Sequence, residues 1–422
     1  MIRLWAASAI AVVLCQGCGT APDRAHQSPA AGTAPERELL VMVREQSIPH
    51  YRPGAISPFV YGGGSGPKHA TRVAHALARD YGFELASDWP MPSLGVRCFL
   101  ALVHIGDSAG ALAARLAQDP RVESVQPQQV FHTAGAVDSY VPQAGAQRLH
   151  LDALHRLATG KAVKIAQIDT GVDVTHPDLR GQLADARNFV ESSRFLPEVH
   201  GTAVAGVIVA KPSGGLGVIG VAPGAQLLPL RACWEAGEGG AALCTSFTLA
   251  KAMQFALSDR VRVINLSLTG PPDRLLERLV ERAVADGITV VSAFDPGHPG
   301  FPGTHHDVVA VAGEGATVGR GVVVAPGTDI MTTAPGASWG FFSGSSFAAA
   351  HVSGIAALVL QVSPGLNPSE LRELLRRHTQ ASGEGPVVLD ACAALAQAAR
   401  AAVRVCRPQQ AAGGASLQAS AY

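Results

Sequence analysis

Phe342-Ser343-Gly344-Ser345-Ser346-Phe347-Ala348-Ala349-Ala350-His351-Val352-Ser353-Gly354 is the stretch to read first. A Gly-Ser-Ser turn runs straight into an Ala-rich apolar segment that continues to Leu360. Gly permits a tight backbone, and Ser is favoured at a helix start. The Ala, Val, Ile and Leu residues that follow predict a buried helix. A hydroxyl held at that point feels the positive end of the helix dipole, beside N–H groups with no partner inside the helix. A nucleophile that must generate an oxyanion belongs in such a place. Taken alone, Ser346 reads more simply as a helix cap.

Two other segments change that reading. Val163-Lys164-Ile165-Ala166-Gln167-Ile168-Asp169-Thr170-Gly171 is a β-rich run ending in Asp-Thr-Gly, and Val199-His200-Gly201-Thr202-Ala203-Val204-Ala205-Gly206 sets a His before another small-residue helix. The chain order is Asp, His, Ser, the order of subtilisin and not that of chymotrypsin or the α/β-hydrolases. With Val263-Ile264-Asn265-Leu266-Ser267-Leu268 and Ala325-Pro326-Gly327 between them, these motifs resemble the subtilases, the subtilisin-like serine proteases, over residues 140–379. A lipase or esterase reading fails twice. Gly344-Ser345-Ser346-Phe347-Ala348 is not Gly-x-Ser-x-Gly, and the triad order is wrong.

Acyl transfer needs a nucleophile, a base to take its proton, and a third group to fix the tautomer of the base. The resemblance assigns these roles to Ser346, His200 and Asp169. Each residue has a plainer reading by itself, as cap, loop residue or turn residue; their joint occurrence in these motifs favours the triad. His176-Pro177-Asp178 resembles a structural segment that follows the Asp in subtilases. Protein or peptide substrates would lie along Ser267-Leu268-Thr269-Gly270, where Thr269 stands in place of the usual Gly and is expected to narrow the pocket.

The oxyanion region departs from the family. Subtilases place an Asn just after the strand equivalent to residues 289–293; here that place reads Ala293-Phe294-Asp295-Pro296-Gly297. Pro has no N–H, and an ionised Asp accepts hydrogen bonds without donating. The backbone N–H of Ser346 remains as an oxyanion donor, and an active but slow or narrow enzyme is expected. The competing expectation is a subtilase fold that has lost catalysis and works as a binding module. Smaller departures are Ala203 and Phe347, where His and Met are usual, and Ala350 in place of a Pro.

The chain has 422 residues, 47% hydrophobic and 16% charged, with Lys+Arg and Asp+Glu balanced at 33 each. Such a chain is globular and can hold two folded units. Its neutral balance gives no sign of nucleic acid as a partner. Arg3 precedes an apolar run over residues 4–14, too short to span a bilayer and suited to a signal peptide. Leu14-Cys15-Gln16-Gly17-Cys18 resembles a bacterial lipoprotein cleavage box, with Cys18 as the lipid-bearing candidate and membrane attachment through it. Cys15, however, occupies the place of the usual Leu. The expected localisation is therefore exported: periplasm or cell envelope with or without a lipid anchor, or secreted.

Of the seven cysteines, Cys233, Cys244, Cys392 and Cys406 fall in the catalytic region. An even number in an exported chain predicts disulfides, with sequence neighbours the simplest of three connectivities. Zinc is the rival reading, weakened by the lack of a close Cys-x-x-Cys pair. His305-His306-Asp307 lies in a Gly/Pro-rich stretch and reads as a surface loop. No metal or cofactor is expected for catalysis; calcium commonly stabilises subtilases, but no acidic cluster specific enough for it is present.

Taken in order, the chain predicts a signal peptide (1–18), a flexible linker (19–37) and a small α+β unit (38–132). Then follow a linker with a processing site (133–147), the peptidase domain (148–406) and a disordered tail (407–422). The small unit reads as strand–helix–strand–helix–strand, with a first strand at 39–43, helices at 71–81 and 108–118, and a closing strand at 122–130. It resembles subtilase pro-regions, which assist folding and whose tails occupy the active site until cut. The larger unit alternates apolar strands with helical patterns, predicting an α/β fold: a parallel β-sheet with helices on both faces.

Overall fold

The computed structural model describes residues 37–45, 65–104, 106–133, 136–137, 143–190, 194–212, 217–236, 242–319, 321–381 and 387–400. The expected signal peptide with Cys18, the linker over 19–37 apart from Arg37, and the tail after 407 lie outside the described residues. In the N-terminal unit, β1 (Glu38–Arg44) is followed by α1 (Ser65–Tyr81), β2 (Phe83–Met91), β3 (Val96–Val103), α2 (Ala109–Leu116) and β4 (Ser124–Pro127). The four strands form an antiparallel sheet in the order β2-β3-β1-β4. β1 is apolar on both sides because each face is covered. Leu39, Val41 and Val43 pack under α1 and α2, while Leu40 and Met42 join the core beneath the larger unit.

The strand β2 corrects the expected pattern. Its residues alternate between partly buried and exposed, so no continuous apolar run announces it. The expected closing strand over 122–130 also splits, into β4 and a separate β5 (Val130–Thr133), which leaves the N-terminal sheet altogether. A two-residue strand β6 (Ala136–Val137) and a helix α3 (Ala144–Arg148) fall in the segment expected to be a plain linker.

The larger unit continues with α4 (Leu151–His155), β7 (Lys164–Asp169), β8 (Arg187–Asn188), α5 (Val199–Val209), β9 (Gln226–Arg231), β10 (Cys233–Glu235), β11 (Ala242–Thr245) and α6 (Ser246–Ser258). Next come β12 (Val263–Leu266), β13 (Leu268–Thr269), α7 (Arg274–Ala285), β14 (Thr289–Ala293), β15 (Val309–Gly313), β16 (Val323–Ala325), β17 (Ile330–Ala334) and β18 (Ser338–Ser343). The chain closes with α8 (Ser345–Val362), α9 (Pro368–Arg377), β19 (Thr379–Ala381), β20 (Val387–Leu389) and α10 (Ala391–Ala398). Seven strands make a parallel sheet in the order β16-β15-β14-β12-β7-β9-β8.

The central strands are fully buried runs such as Val-Ile-Asn-Leu and Thr-Val-Val-Ser-Ala, the pattern of strands covered on both faces. Helices α5 and α8 pack on one face with Ile165, Val263 and Val291. Helices α6 and α7 pack on the other, with Ile168, Ile264 and Val290. The α/β expectation holds. α8 is long and apolar enough to cross a membrane, but it is a core helix with His351 and Ser353 buried among its apolar residues.

The N-terminal unit also contacts the larger one through polar groups. Gln126 Oε1 accepts from the Leu275 N–H at 3.0 Å and Gln128 Oε1 from the Phe247 N–H at 3.2 Å. These amides open α7 and α6 and have no partner within their own helices, so the contact satisfies donors that either helix leaves open. Glu123 pairs with Arg278 at 3.2 Å.

Candidate active site

Asp169 ends β7 at the carboxyl edge of the sheet, where sheets of this kind collect their functional groups. His200 and Ser346 are each the second residue of a helix, α5 and α8, packed on the same sheet face. The small-residue helix expected after His200 starts earlier, at Val199, so His200 lies within its first turn. Gly344, before α8, has φ 150°, a backbone state that suits glycine.

His200 Nδ1 donates to Asp169 Oδ1 at 2.7 Å, and the Thr170 N–H donates to the same oxygen at 2.6 Å. This leaves Nε2 as the basic ring nitrogen, buried and without a partner among the described residues. The His200 ring centroid lies 5.7 Å from that of Phe347, the neighbour of Ser346. Ser346 Oγ donates to Ser267 O and Ser267 Oγ donates to Ser346 O, both at 3.0 Å. Asn265 steadies this clasp, donating from Nδ2 to Ser267 Oγ at 2.9 Å and accepting from Ser353 Oγ at 2.8 Å.

The sequence reading overlooked the residues that hold His200. A Cβ at Gly201 would collide with Thr170 O, so only glycine lets α5 approach the Asp169 loop this closely. Glu235 Oε1 accepts from the N–H groups of Val199 at 2.6 Å and His200 at 3.2 Å. Burial raises the Glu235 carboxyl above its ordinary range, the two amides pull the other way, and Glu198 pushes it up again. Glu198 accepts from Arg231 Nε at 2.7 Å and Nη2 at 2.9 Å, from the Gly171 N–H at 2.6 Å and from the Glu235 N–H at 3.1 Å. The available signal was a charge closing the apolar run Leu-Leu-Pro-Leu-Arg, since a buried charge needs a partner.

Glu198→Ala strips the buried Arg231 of its carboxylate and is expected to cost about 3–5 kcal/mol of stability. Urea unfolding, measured in a Ser346→Ala background so that proteolysis does not interfere, checks this.

His351 is buried in α8 and donates from Nδ1 to Phe347 O at 2.8 Å. Burial pushes its pKa down to about 4; the carbonyls of Phe347 and Pro326 oppose the shift, and Arg148 adds to it. The unfolded chain therefore takes up a proton near pH 6.5 that the folded chain refuses. Stability is expected to fall as pH drops from 6.5 towards 4, by on the order of 2 kcal/mol at pH 5 from this group. His351→Gln in the Ser346→Ala background, unfolded in urea at pH 7.5 and pH 5, should show a smaller loss between the two.

The oxyanion candidate Asp295 is committed to its own turn. Its Oδ1 accepts from the Gly297 N–H at 2.8 Å, and Oδ2 lies 3.3 Å from His298 Nδ1. Of the substrate-edge residues, Leu268 and Thr269 form β13, and Gly270 exchanges backbone hydrogen bonds with Phe301 at 2.8 and 2.9 Å. A Cβ at Gly300 would strike Thr269 Oγ1, so the threonine fills the space against that wall.

Cys233 and Cys244 form a disulfide across β10 and β11, which removes them as zinc ligands. Cys392 is also disulfide-bonded, while Cys406 lies outside the described residues. His305, His306 and Asp307 bring ligand atoms within 4.8 Å of one another. Arg372 reaches the Asp307 carboxylate at 3.5 Å, so a cation already faces that group.

The structure brings Asp169 and His200 into hydrogen-bond contact at the carboxyl edge of a parallel sheet, while Ser346 Oγ is held by Ser267 O. The description of the subtilase family matches residues 160–394, and the chain belongs to that family, the subtilisin-like serine proteases. An intracellular serine protease of Paenibacillus polymyxa is 33% identical over 271 residues, 57% of this chain and 81% of that one. Subtilisin E of Bacillus subtilis (strain 168) is 32% identical over 281 residues, 62% of this chain and 71% of that one. In fold the chain resembles fervidolysin of Fervidobacterium pennivorans, described as a keratinolytic enzyme related to subtilisin. That likeness has a TM-score of 0.67 at 21% identity and covers 87% of this chain and 62% of that one.

Proposed function

We propose that this chain is an exported serine endopeptidase made as a precursor that cuts itself. Ser346 is the nucleophile, His200 the general base and Asp169 the group that orients it. The observation that carries this is the 2.7 Å hydrogen bond from His200 Nδ1 to Asp169, which points the basic Nε2 away from the carboxylate. Ser346 Oγ attacks the scissile carbonyl as Nε2 takes its proton; His200 then protonates the leaving amine, and water resolves the acyl-enzyme. The chemistry needs no cofactor.

The N-terminal unit over 38–132 serves as pro-region and intramolecular inhibitor, a reading supported by its contacts to the first turns of α6 and α7. Export is supported by the apolar N-terminal run and by the disulfide at Cys233–Cys244, a bond kept in oxidising compartments. The lipobox-like Leu14-Cys15-Gln16-Gly17-Cys18 supports attachment to the cell envelope through Cys18.

A fluorophosphonate probe is expected to label the wild type at Ser346 and to leave Ser346→Ala unlabelled. The binding-module reading is favoured by the sequence at 295, where an Asp stands in the place that subtilases give to an Asn donor. Absence of labelling in the wild type, after the N-terminal unit has been removed by a second protease, would move the assignment there.

A further inference from the structure

Helix α5 opens without a cap of its own. Glu198, the residue before it, has extended backbone, yet its side chain makes no bond to the first-turn amides. Its carboxylate is taken up by Arg231, by the Gly171 N–H and by the Glu235 N–H. The first amides of a helix have no partner inside it and must find one outside. Glu235, at the end of β10, supplies that partner, accepting from Val199 and His200 with one oxygen. Glu198 holds the Glu235 amide, and Glu235 holds the two amides that follow Glu198. This is the reciprocal pattern of a capping box, made between two remote segments instead of within one.

The same segment also holds Asp169. The Ala232 N–H donates to Asp169 O at 2.9 Å. Residues 231–235 therefore touch both halves of the Asp169–His200 pair: Ala232 the strand end that carries the aspartate, Glu235 the helix start that carries the histidine. β10 itself is only three residues long and lies at the edge of its sheet, in the order β10-β11-β5-β13. Cys233 stands opposite Cys244 in the pairing with β11, and the disulfide joins them. β11 runs directly into α6, a helix packed in the core. The crosslink thus anchors a short edge strand to the core, between its contact to Asp169 and its contact to His200.

We infer that Glu235 is a positioning residue for His200, and that the Cys233–Cys244 disulfide holds it in place. This rests on the proposed role of His200 as general base. Glu235 acts through the backbone of residues 199 and 200, not on the reacting atoms. Its carboxylate fixes the first turn of α5 against β10 and complements the positive end of the helix dipole. Without that acceptor two amides lose their partner, and the imidazole is no longer held in register with Asp169. Misplacing a reacting group by about 1 Å costs about 10² in rate.

The test compares kcat and KM for a peptide substrate in processed wild type, Glu235→Ala, Glu235→Gln and the Cys233→Ala/Cys244→Ala double variant. Rates are referred to the sites that a fluorophosphonate titrates, so molecules that fail to fold do not count. The proton NMR signal of His200 Nδ1–H is followed beside them. Glu235→Ala is expected to lower kcat about 10–100-fold at unchanged KM and to broaden or shift that signal. Glu235→Gln, whose side-chain carbonyl still accepts from both amides, should restore most of the rate and the signal. The cysteine double variant should lose kcat in the same direction, and adding Glu235→Ala to it should cost little more, because both act through one contact. An unchanged kcat in Glu235→Ala overturns the inference, and so does a Glu235→Gln as slow as Glu235→Ala. A cysteine double variant as fast as the wild type removes the part given to the disulfide. If the wild type takes up no fluorophosphonate, the catalytic reading falls and this one with it; a labelled wild type with an unaffected Glu235→Ala sinks this one alone.

Discussion

Asp169→Asn is expected to lower kcat by about 10⁴ near pH 7 while leaving KM and the fold close to unchanged. The cause is the lost negative charge beside His200. Asp169 Oδ1 accepts the His200 Nδ1–H at 2.7 Å, which keeps Nε2 free of its proton and aimed away from the carboxylate. The Thr170 N–H fixes the same oxygen at 2.6 Å, so an amide at this position keeps its carbonyl towards Thr170 and cannot carry the compensating charge. The imidazolium formed as Ser346 attacks then loses its counter-charge inside a buried site, where that charge acts most strongly. Hydrolysis of a peptide substrate by processed enzyme, followed from pH 6 to pH 10, measures it. A loss below tenfold would remove Asp169 from the mechanism.

Asp295→Asn is expected to act in the opposite direction, raising kcat by about 10²–10³, the factor that an Asn donor at the oxyanion site contributes in subtilisin. An amide can keep the acceptor bond from the Gly297 N–H and still offer N–H groups to a developing oxyanion. At an oxyanion site the native carboxylate could only accept, and its charge would oppose the one that forms. Asp295 lies in an exposed turn, so the substitution should leave stability within about 0.5 kcal/mol. Parallel kcat measurements on the two processed proteins decide this. An unchanged or lower rate would mean that another group, placed by this loop, already supplies the donor.

The triad motifs were legible because each sits where local sequence reports local structure. A β-rich run ends at Asp169, and small or apolar helices begin beside His200 and Ser346. The parallel sheet was legible for a related reason, since strands buried on both faces read as unbroken apolar runs. The missed strand β2 shows the converse. Its alternating residues are half exposed, and only pairing with β3, itself apolar, makes it a strand.

The sequence by itself determined the order Asp, His, Ser, the α/β alternation and the departure at Asp295, because these depend on residue identity and short-range pattern. Tertiary structure decided the rest. Glu198 and Glu235 become the frame of His200 only when β9 and β10 bring Arg231 and Glu235 beside α5. β5 and β6 carry too few residues to declare themselves, and their partners, β11, β13 and β18, lie far along the chain. Backbone pairing between remote segments has no local code, so the placement of β5 and β6 emerges only when the sheets are assembled.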